Sequence, residues 1–233
     1  MTHPGSPHPA APPPVPGAPT APPLDPADLR AAATVCHDAL APALGDDWSR
    51  PAGDLAWTCR QTLDHTVDAV LFYAAHLATR ATARLPDLRD GDPARSPAEL
   101  LAAVAAAAAV LAEIAAAAPP AARGYHPAGM ADAEGFLAMG CTEILIHTAD
   151  IAQGLDRSFR PTAAPATRAL VARVGARLFP WMPTDGDPWD AFRWVAGRIA
   201  LPDRPRLAPD WYWQCAPLAE WDGTIKKRPA PPR

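Results

Sequence analysis

Apolar residues return at helical spacing in four long stretches of this chain, and each stretch opens on a capping signal. The first begins at Asp25-Pro26, an N-cap aspartate with proline at the first helical position, and runs to about residue 43, where "GDD" stops it. The second begins at Thr58, whose T-x-x-Q spacing to Gln61 makes a capping box. Along it, Leu63, Val67, Val70, Ala74 and Leu77 form one stripe. His65, Ala69, Phe72 and His76 form another on roughly the opposite side, as in a central helix packed on both sides. The third opens at "SPAEL", with Ser96 as N-cap, Pro97 at N1 and Glu99 closing the box. Leu100, Val104, Leu111 and Ile114 follow at helical spacing, and Pro119-Pro120 end the helix. The fourth, "DAEGFLAMGCTEILIHTADIAQGL", has Asp132 as N-cap and Gly154 where a left-handed C-terminal glycine belongs.

Four such helices joined by loops predict an all-α fold, a four-helix bundle. Residues 163–179 and 187–201 read as two additional C-terminal helices, the latter with Asp187 as cap and Pro188 at N1. The remainder, "PDRPRLAPDWYWQCAPLAEWDGT", is an irregular Pro/Trp-rich segment draped over the bundle, with a short strand expected at "WYWQC". Residues 1–26 contain eleven prolines and almost no large apolar side chains, so they read as a disordered or polyproline-II tail. The predicted organisation is a Pro-rich tail (1–26), a helical bundle (27–155), a helical extension packing on it (156–224) and a disordered basic tail (225–233).

With 233 residues and 49% hydrophobic content, the chain can bury one good-sized core. A net charge of −4 argues against a nucleic-acid partner, which calls for a basic surface. The four cysteines (Cys36, Cys59, Cys141, Cys215) show no C-x-x-C pair, which excludes zinc-finger and redox spacings and suggests a reduced, cytoplasmic protein. The start lacks a basic and apolar leader. The apolar run at 102–118 is mostly alanine, carries Glu113 and ends at prolines, so it reads as a soluble helix rather than a membrane span. Exposed alanine-rich helices make a homodimer a reasonable assembly.

The chemistry lies in "CTEILIHTAD". Glu143 and His147 are four residues apart and share a helix face, about 40° from one another. Phe136, Met139, Gly140, Ile146 and Asp150 lie within about 60° of Glu143, so the face is core-facing. A lone carboxylate there would cost several kcal/mol or stay protonated. No lysine or arginine stands at matching height on the other bundle helices. Glu143 and His147 therefore either hydrogen-bond one another and a water, or ligate a metal ion together with a residue from a facing helix. His65 is the best third ligand, with small Ala69 leaving room for an ion. His76 is three turns away, His37 and His126 lie elsewhere, and His3 and His8 sit in the tail. Cys141 points away and reads as packing. Two histidines and a carboxylate are a ligand set of catalytic zinc and non-haem iron sites.

Two stretches carry a family resemblance. "LAWTCRQTLDHTVDAVLFYAAHL" resembles the second-helix signature of the DinB-like metal-binding bundles, a tryptophan before the helix and a histidine within two turns. "CTEILIHTADIAQGL" is similar to the E-x-x-x-H-T-x-D-[IL]-A stretch of one branch, the mycothiol-dependent maleylpyruvate isomerase N-terminal domain family. The resemblance spans roughly 27–155 and implies that His65, Glu143 and His147 are metal ligands. It also implies a divalent metal, zinc first with nickel, manganese or iron as alternatives, and mycothiol or a similar thiol as co-substrate. The isomerase continues into a mixed α/β domain, from which residues 156–233 depart.

The function expected is a metal-dependent, thiol-dependent transferase or isomerase whose partners are a small thiol and an electrophile. Lewis acidity would lower the thiol's pKa and leave a thiolate to attack. The alternatives are a non-enzymatic metal-binding bundle, structural or sensing, and an interaction module with a buried polar network. Asp68 and Asp150 are candidates to orient the ligating imidazoles or to contact the thiol cofactor, or are simply solvated. Arg198 is a candidate holder of an anionic substrate. Trp189, Trp194, Trp211 and Trp213 line a pocket or belong to the core.

Overall fold

Each long helix begins where its capping residue stands. In the computed structural model, which describes residues 22–208 and 213–225, α1 (Pro26–Leu40) starts after Asp25, whose carboxylate accepts the amides of Ala27 and Asp28. α2 (Cys59–Thr79) follows the Thr58–Gln61 box and α3 (Pro97–Ala117) the Ser96–Glu99 box, both with reciprocal bonds. α4 (Ala133–Gly154) follows Asp132, which accepts from the Gly135 amide at 2.8 Å. The architecture is all-α with one small hairpin, as the periodicity predicts.

The four helices pack as a bundle: α2 lies against α3 and α4, and α1 against α3 and α4. Leu29, Leu63, Leu111, Phe136, Met139 and Ile144 are fully buried between them. By length and composition α3 could cross a membrane, but its Leu100, Leu101, Val104 and Leu111 are buried in the bundle core. The predicted aliphatic stripe of α2 (Leu63, Val67, Val70, Ala74, Leu77) is buried throughout. Its second stripe, His65, Ala69, Phe72 and His76, lines a cavity, and His65 also meets α4.

Between α3 and α4 runs a hairpin, β1 (Gly124–His126) and β2 (Gly129–Ala131), paired antiparallel with His126 opposite Gly129. Sequence reading had only a loop there. β1 is joined to the chain after α2 by the Tyr125 amide, which donates to Ala81 O at 2.7 Å. After α4, α5 (Pro165–Leu178) packs on α4 and α6 (Pro188–Val195) packs on α5. Arg177 of α5 is buried, donating to Asp132 Oδ1 at 2.6 Å and to Cys215 O at 3.2 Å, so it ties the start of α4 to the C-terminal segment.

Four expectations need revision. α6 stops at Val195 rather than residue 201, because Gly197 adopts φ 69°. The Arg198 amide then donates to Arg193 O and the Gly197 amide to Trp194 O, the bond pair of a Schellman stop. The same stop ends α4, but with Asp156 (φ 55°) in the left-handed position, not Gly154. Of "WYWQC", Trp211 and Tyr212 lie outside the described residues, and 213–215 form no strand; the Gln214 amide donates to Leu178 O at 2.8 Å. The Pro-rich tail up to residue 21 and the basic tail from 226 also lie outside the described residues. Leu24, placed in the tail from sequence, is buried, and its amide donates to Glu134 Oε1 at 3.0 Å. Trp189 and Trp194 belong to the core.

Gly154 has a different reason to be glycine. A methyl group there would lie 2.3 Å from Pro51 O and 2.6 Å from Cys59 Sγ, so the close seat of the 50–59 segment on α4 requires a bare α-carbon. Gly154→Ala is expected to lower stability by about 1–3 kcal/mol, the range for overpacking, read as a lower midpoint in urea denaturation. An unchanged midpoint would show that the segment yields instead.

Candidate metal centre

Two helices bring three ligand-type side chains together. α2 presents His65, and α4 presents Glu143 and His147 one turn apart. One ligand atom from each lies within 4.8 Å of the others. His147 Nε2 is 3.1 Å from Glu143 Oε2, and His65 Nε2 is 3.9 Å from the same oxygen. The two imidazole rings stand edge to face, 5.3 Å between centroids. The other oxygen of Glu143 is taken: Tyr73 OH donates to Oε1 at 2.9 Å. The carboxylate is thereby turned so that Oε2 alone meets the histidines.

His147 is held from its far side as well. Its Nδ1 is 3.1 Å from Asp150 Oδ2, and Asp150 is gripped by the fork of Arg198, whose Nε and Nη2 donate to its two oxygens at 2.8 Å each. Arg198 reaches this place because the Gly197 stop turns the chain back from α6. The electrostatics follow from the contacts. Burial alone would raise the Glu143 carboxyl, but His147, His65 and Tyr73 outweigh it and hold that carboxyl well below the usual range. Burial alone would favour neutral His147, but Asp150 and Glu143 on its two nitrogens outweigh it and hold the ring protonated well above its ordinary range. Burial would raise Asp150 too, and His147 and Arg198 keep it low. For His65, burial prevails over the attraction of Glu143 and lowers its pKa.

A cavity of about 310 Å³ opens beside the triad, lined by His65, Glu143, Tyr73, Phe72, His76 and His126 among others. Its outer wall is the loop after α2. His76, buried on α2, sets its Nδ1 2.8 Å from Phe72 O and accepts the Leu85 amide on Nε2 at 3.1 Å. Arg89 from the loop grips both Asp64 and Asp68, and the amides of Asp92 and Gly91 donate to the same two carboxylates at 2.8 and 2.9 Å. Trp57, 44% exposed, packs against His65 with centroids 4.6 Å apart.

The donor set suits a divalent ion. Two imidazole nitrogens and a carboxylate oxygen are borderline-to-hard donors that take zinc, nickel, manganese or iron. The 3.1 Å between His147 Nε2 and Glu143 Oε2 matches the spacing of neighbouring ligands around one ion with bonds of about 2.1 Å. The Asp150–His147 pair is the carboxylate–histidine support typical of such sites.

Of the residues singled out from sequence, His65, Glu143 and His147 converge, and Asp150 touches His147 directly. Asp68 fastens the cavity loop through Arg89 and Gly91. Arg198 directs its fork at Asp150, not at an open anion site. His37 is on the exposed side of α1, beside Asp38. Tyr73 was missed; the available signal was a phenol on a largely buried helix, whose hydroxyl needs a partner. Asp150→Ala is expected to weaken zinc binding about 10–100-fold, the usual effect of removing such a support, with helix content unchanged. Competition against a chromogenic chelator measures it, and an unaltered affinity would deny Asp150 this role.

No curated protein and no solved structure matches the chain. A family model does: that of the DinB superfamily matches residues 29–151, from the first turn of α1 to the last turn of α4. The match takes in the whole bundle and all three convergent side chains, and on it the chain belongs to the DinB superfamily.

Proposed function

We propose that this chain is a divalent-metal-dependent enzyme, zinc being the first candidate, that uses a low-molecular-weight thiol of the mycothiol kind on a small electrophile, as a transferase or isomerase. The observation that carries this reading is the convergence of His65, Glu143 and His147, the first two of which line a cavity, with three ligand residues rather than four among those described. A structural zinc is normally enclosed by four protein ligands, whereas a catalytic one keeps a position open. This favours an enzyme over a metal-binding bundle with a structural or sensing role. When bound, the ion would supply Lewis acidity and lower the pKa of a thiol in the open position.

The chain's own residues hold and orient. His65, Glu143 and His147 would hold the ion. Asp150, fixed by Arg198, would accept the hydrogen bond of the His147 Nδ1–H, so that with the ion in place of the Nε2 proton the Nε2 lone pair would face the site. Tyr73 fixes Oε1 of Glu143 and so the direction of Oε2. The protein offers no thiolate of its own: all four cysteines are buried, and burial raises Cys36 to about 11 and also raises Cys59 and Cys141. Thiol chemistry here therefore requires a thiol from outside. The similarity of "CTEILIHTADIAQGL" to the mycothiol-dependent maleylpyruvate isomerase branch supports mycothiol as that thiol. The departure of residues 156–233 from that branch leaves the electrophile defined by class only.

Elemental mass spectrometry on purified protein tests the reading. About one equivalent of divalent metal is expected in the wild type and none in a folded His65→Ala/His147→Ala variant. The loaded wild type, given mycothiol and chlorodinitrobenzene, is then expected to consume the thiol far faster than the variant. Full metal retention by the variant would remove the site. Metal binding with no thiol-dependent reaction, across a panel of small electrophiles, would favour the non-enzymatic role.

A further inference from the structure

The loop that walls the cavity, between α2 and α3, hangs at one end on a single imidazole. His76 stands in the last turn of α2 and is 1% exposed. Both of its ring nitrogens meet backbone groups whose roles are fixed. Nδ1 is 2.8 Å from Phe72 O, a carbonyl that can only accept, so Nδ1 carries the proton. Nε2 lies 3.1 Å from the Leu85 amide, which can only donate, so Nε2 carries none. The loop therefore closes on one form of the ring, neutral and protonated on Nδ1. A second proton, on Nε2, would set two donors against each other and leave the Leu85 amide without its acceptor.

The surroundings decide which state takes up that proton. Phe72 lies against the ring with centroids 3.8 Å apart, and Tyr125 of β1 stands 5.9 Å away. Across Phe72 lie His126, at 6.4 Å between centroids, and the Arg84 guanidinium, 5.4 Å from the ring centre and paired with Asp87 at 2.9 Å. Arg80 follows as the C-cap of α2. Among the described residues no carboxylate forms a hydrogen bond or ion pair with His76. An imidazolium under the closed loop would thus be buried without an anion, which is costly. Under an open loop water reaches Nε2, and the carbonyl end of α2 favours a cation there. The open state therefore binds the proton more readily, so by linkage closure is favoured at higher pH and lost as the pH falls. The far end of the loop is fastened without an imidazole, by Asp64 and Asp68 on Arg89 and on the amides of Asp92 and Gly91.

We propose that this loop is a pH-sensitive door of the cavity: a proton taken up by His76 frees the Leu85 amide and lets the wall between Leu85 and Arg89 lift, while the Arg89 end stays fastened. This device governs access to the cavity and requires neither metal nor thiol, so it stands apart from the function proposed above.

Amide exchange by NMR on the full chain tests it, across the imidazole range of about pH 8 to 5, with each rate divided by the intrinsic rate at that pH to give protection. Protection of the Leu85 amide is expected to fall by about tenfold per pH unit on the approach to the His76 titration, one proton's worth. The Gly91 and Asp92 amides are expected to keep theirs. In His76→Gln, whose side-chain oxygen reaches the place of Nε2 and takes up no proton, Leu85 protection is expected to be independent of pH. Leu85 protection that holds through the His76 titration overturns the proposal. So does protection lost together with that of Gly91 and Asp92, which is unfolding and not a door, or lost equally in a folded His76→Gln variant. A nitrogen-15 spectrum at high pH with the His76 proton on Nε2 overturns it whether or not that variant folds.

Discussion

A carboxylate on the core side of α4 has to be compensated, and meeting that need organises the centre of this molecule. An uncompensated buried charge costs several kcal/mol, enough to cancel much of a domain's net stability. Glu143 draws its partners from two helices: a hydroxyl and an imidazole from α2, and a second imidazole one turn along α4. His147 then requires Asp150, and Asp150 requires Arg198 from beyond α6. A charge inside the bundle thus dictates where the C-terminal extension must sit. Each member of this row alternates in charge with the next, so each bond strengthens its neighbours in the low dielectric of the interior.

Local features of the fold are legible in the sequence because their causes are local. Caps such as Thr58–Gln61 and Ser96–Glu99 act within one turn, and α2 and α3 start at them. Glu143 and His147 are visible as a pair because helix geometry alone places them together. His65 depends on how α2 meets α4, and periodicity by itself only made it the best of several histidines. Tyr73 falls between the two stripes of its helix and so drew no attention, although its hydroxyl decides how Glu143 is turned. The partner of Arg198 lies 48 residues away and leaves no trace in spacing.

Two glycines show how one signal can be misassigned. Gly154 stands at a plausible helix stop, yet the left-handed residue is Asp156, and the glycine answers to the backbone of Pro51 instead. Gly197 carried the true stop signal for α6 and sat inside a run that otherwise continued the apolar pattern. The second stripe of α2 teaches a related lesson. Periodicity reports that a face is withdrawn from water, not what it faces, and here it faces a cavity. The hairpin of "GYH" and "GMA" is too short for any alternation to register.

The outer wall of that cavity is a strap buckled at both ends. His76 fastens it at Leu85, while Asp64 and Asp68 fasten it from Arg89 to Asp92; Leu88, between the buckles, is 73% exposed. The fastenings all lie on α2, yet none of them is a member of the triad. Pro86, Asp87 and Leu88 thus lie between two sets of fastenings, none of which involves His65, Glu143 or His147. Such an arrangement holds the rim of the cavity independently of the polar cluster behind it.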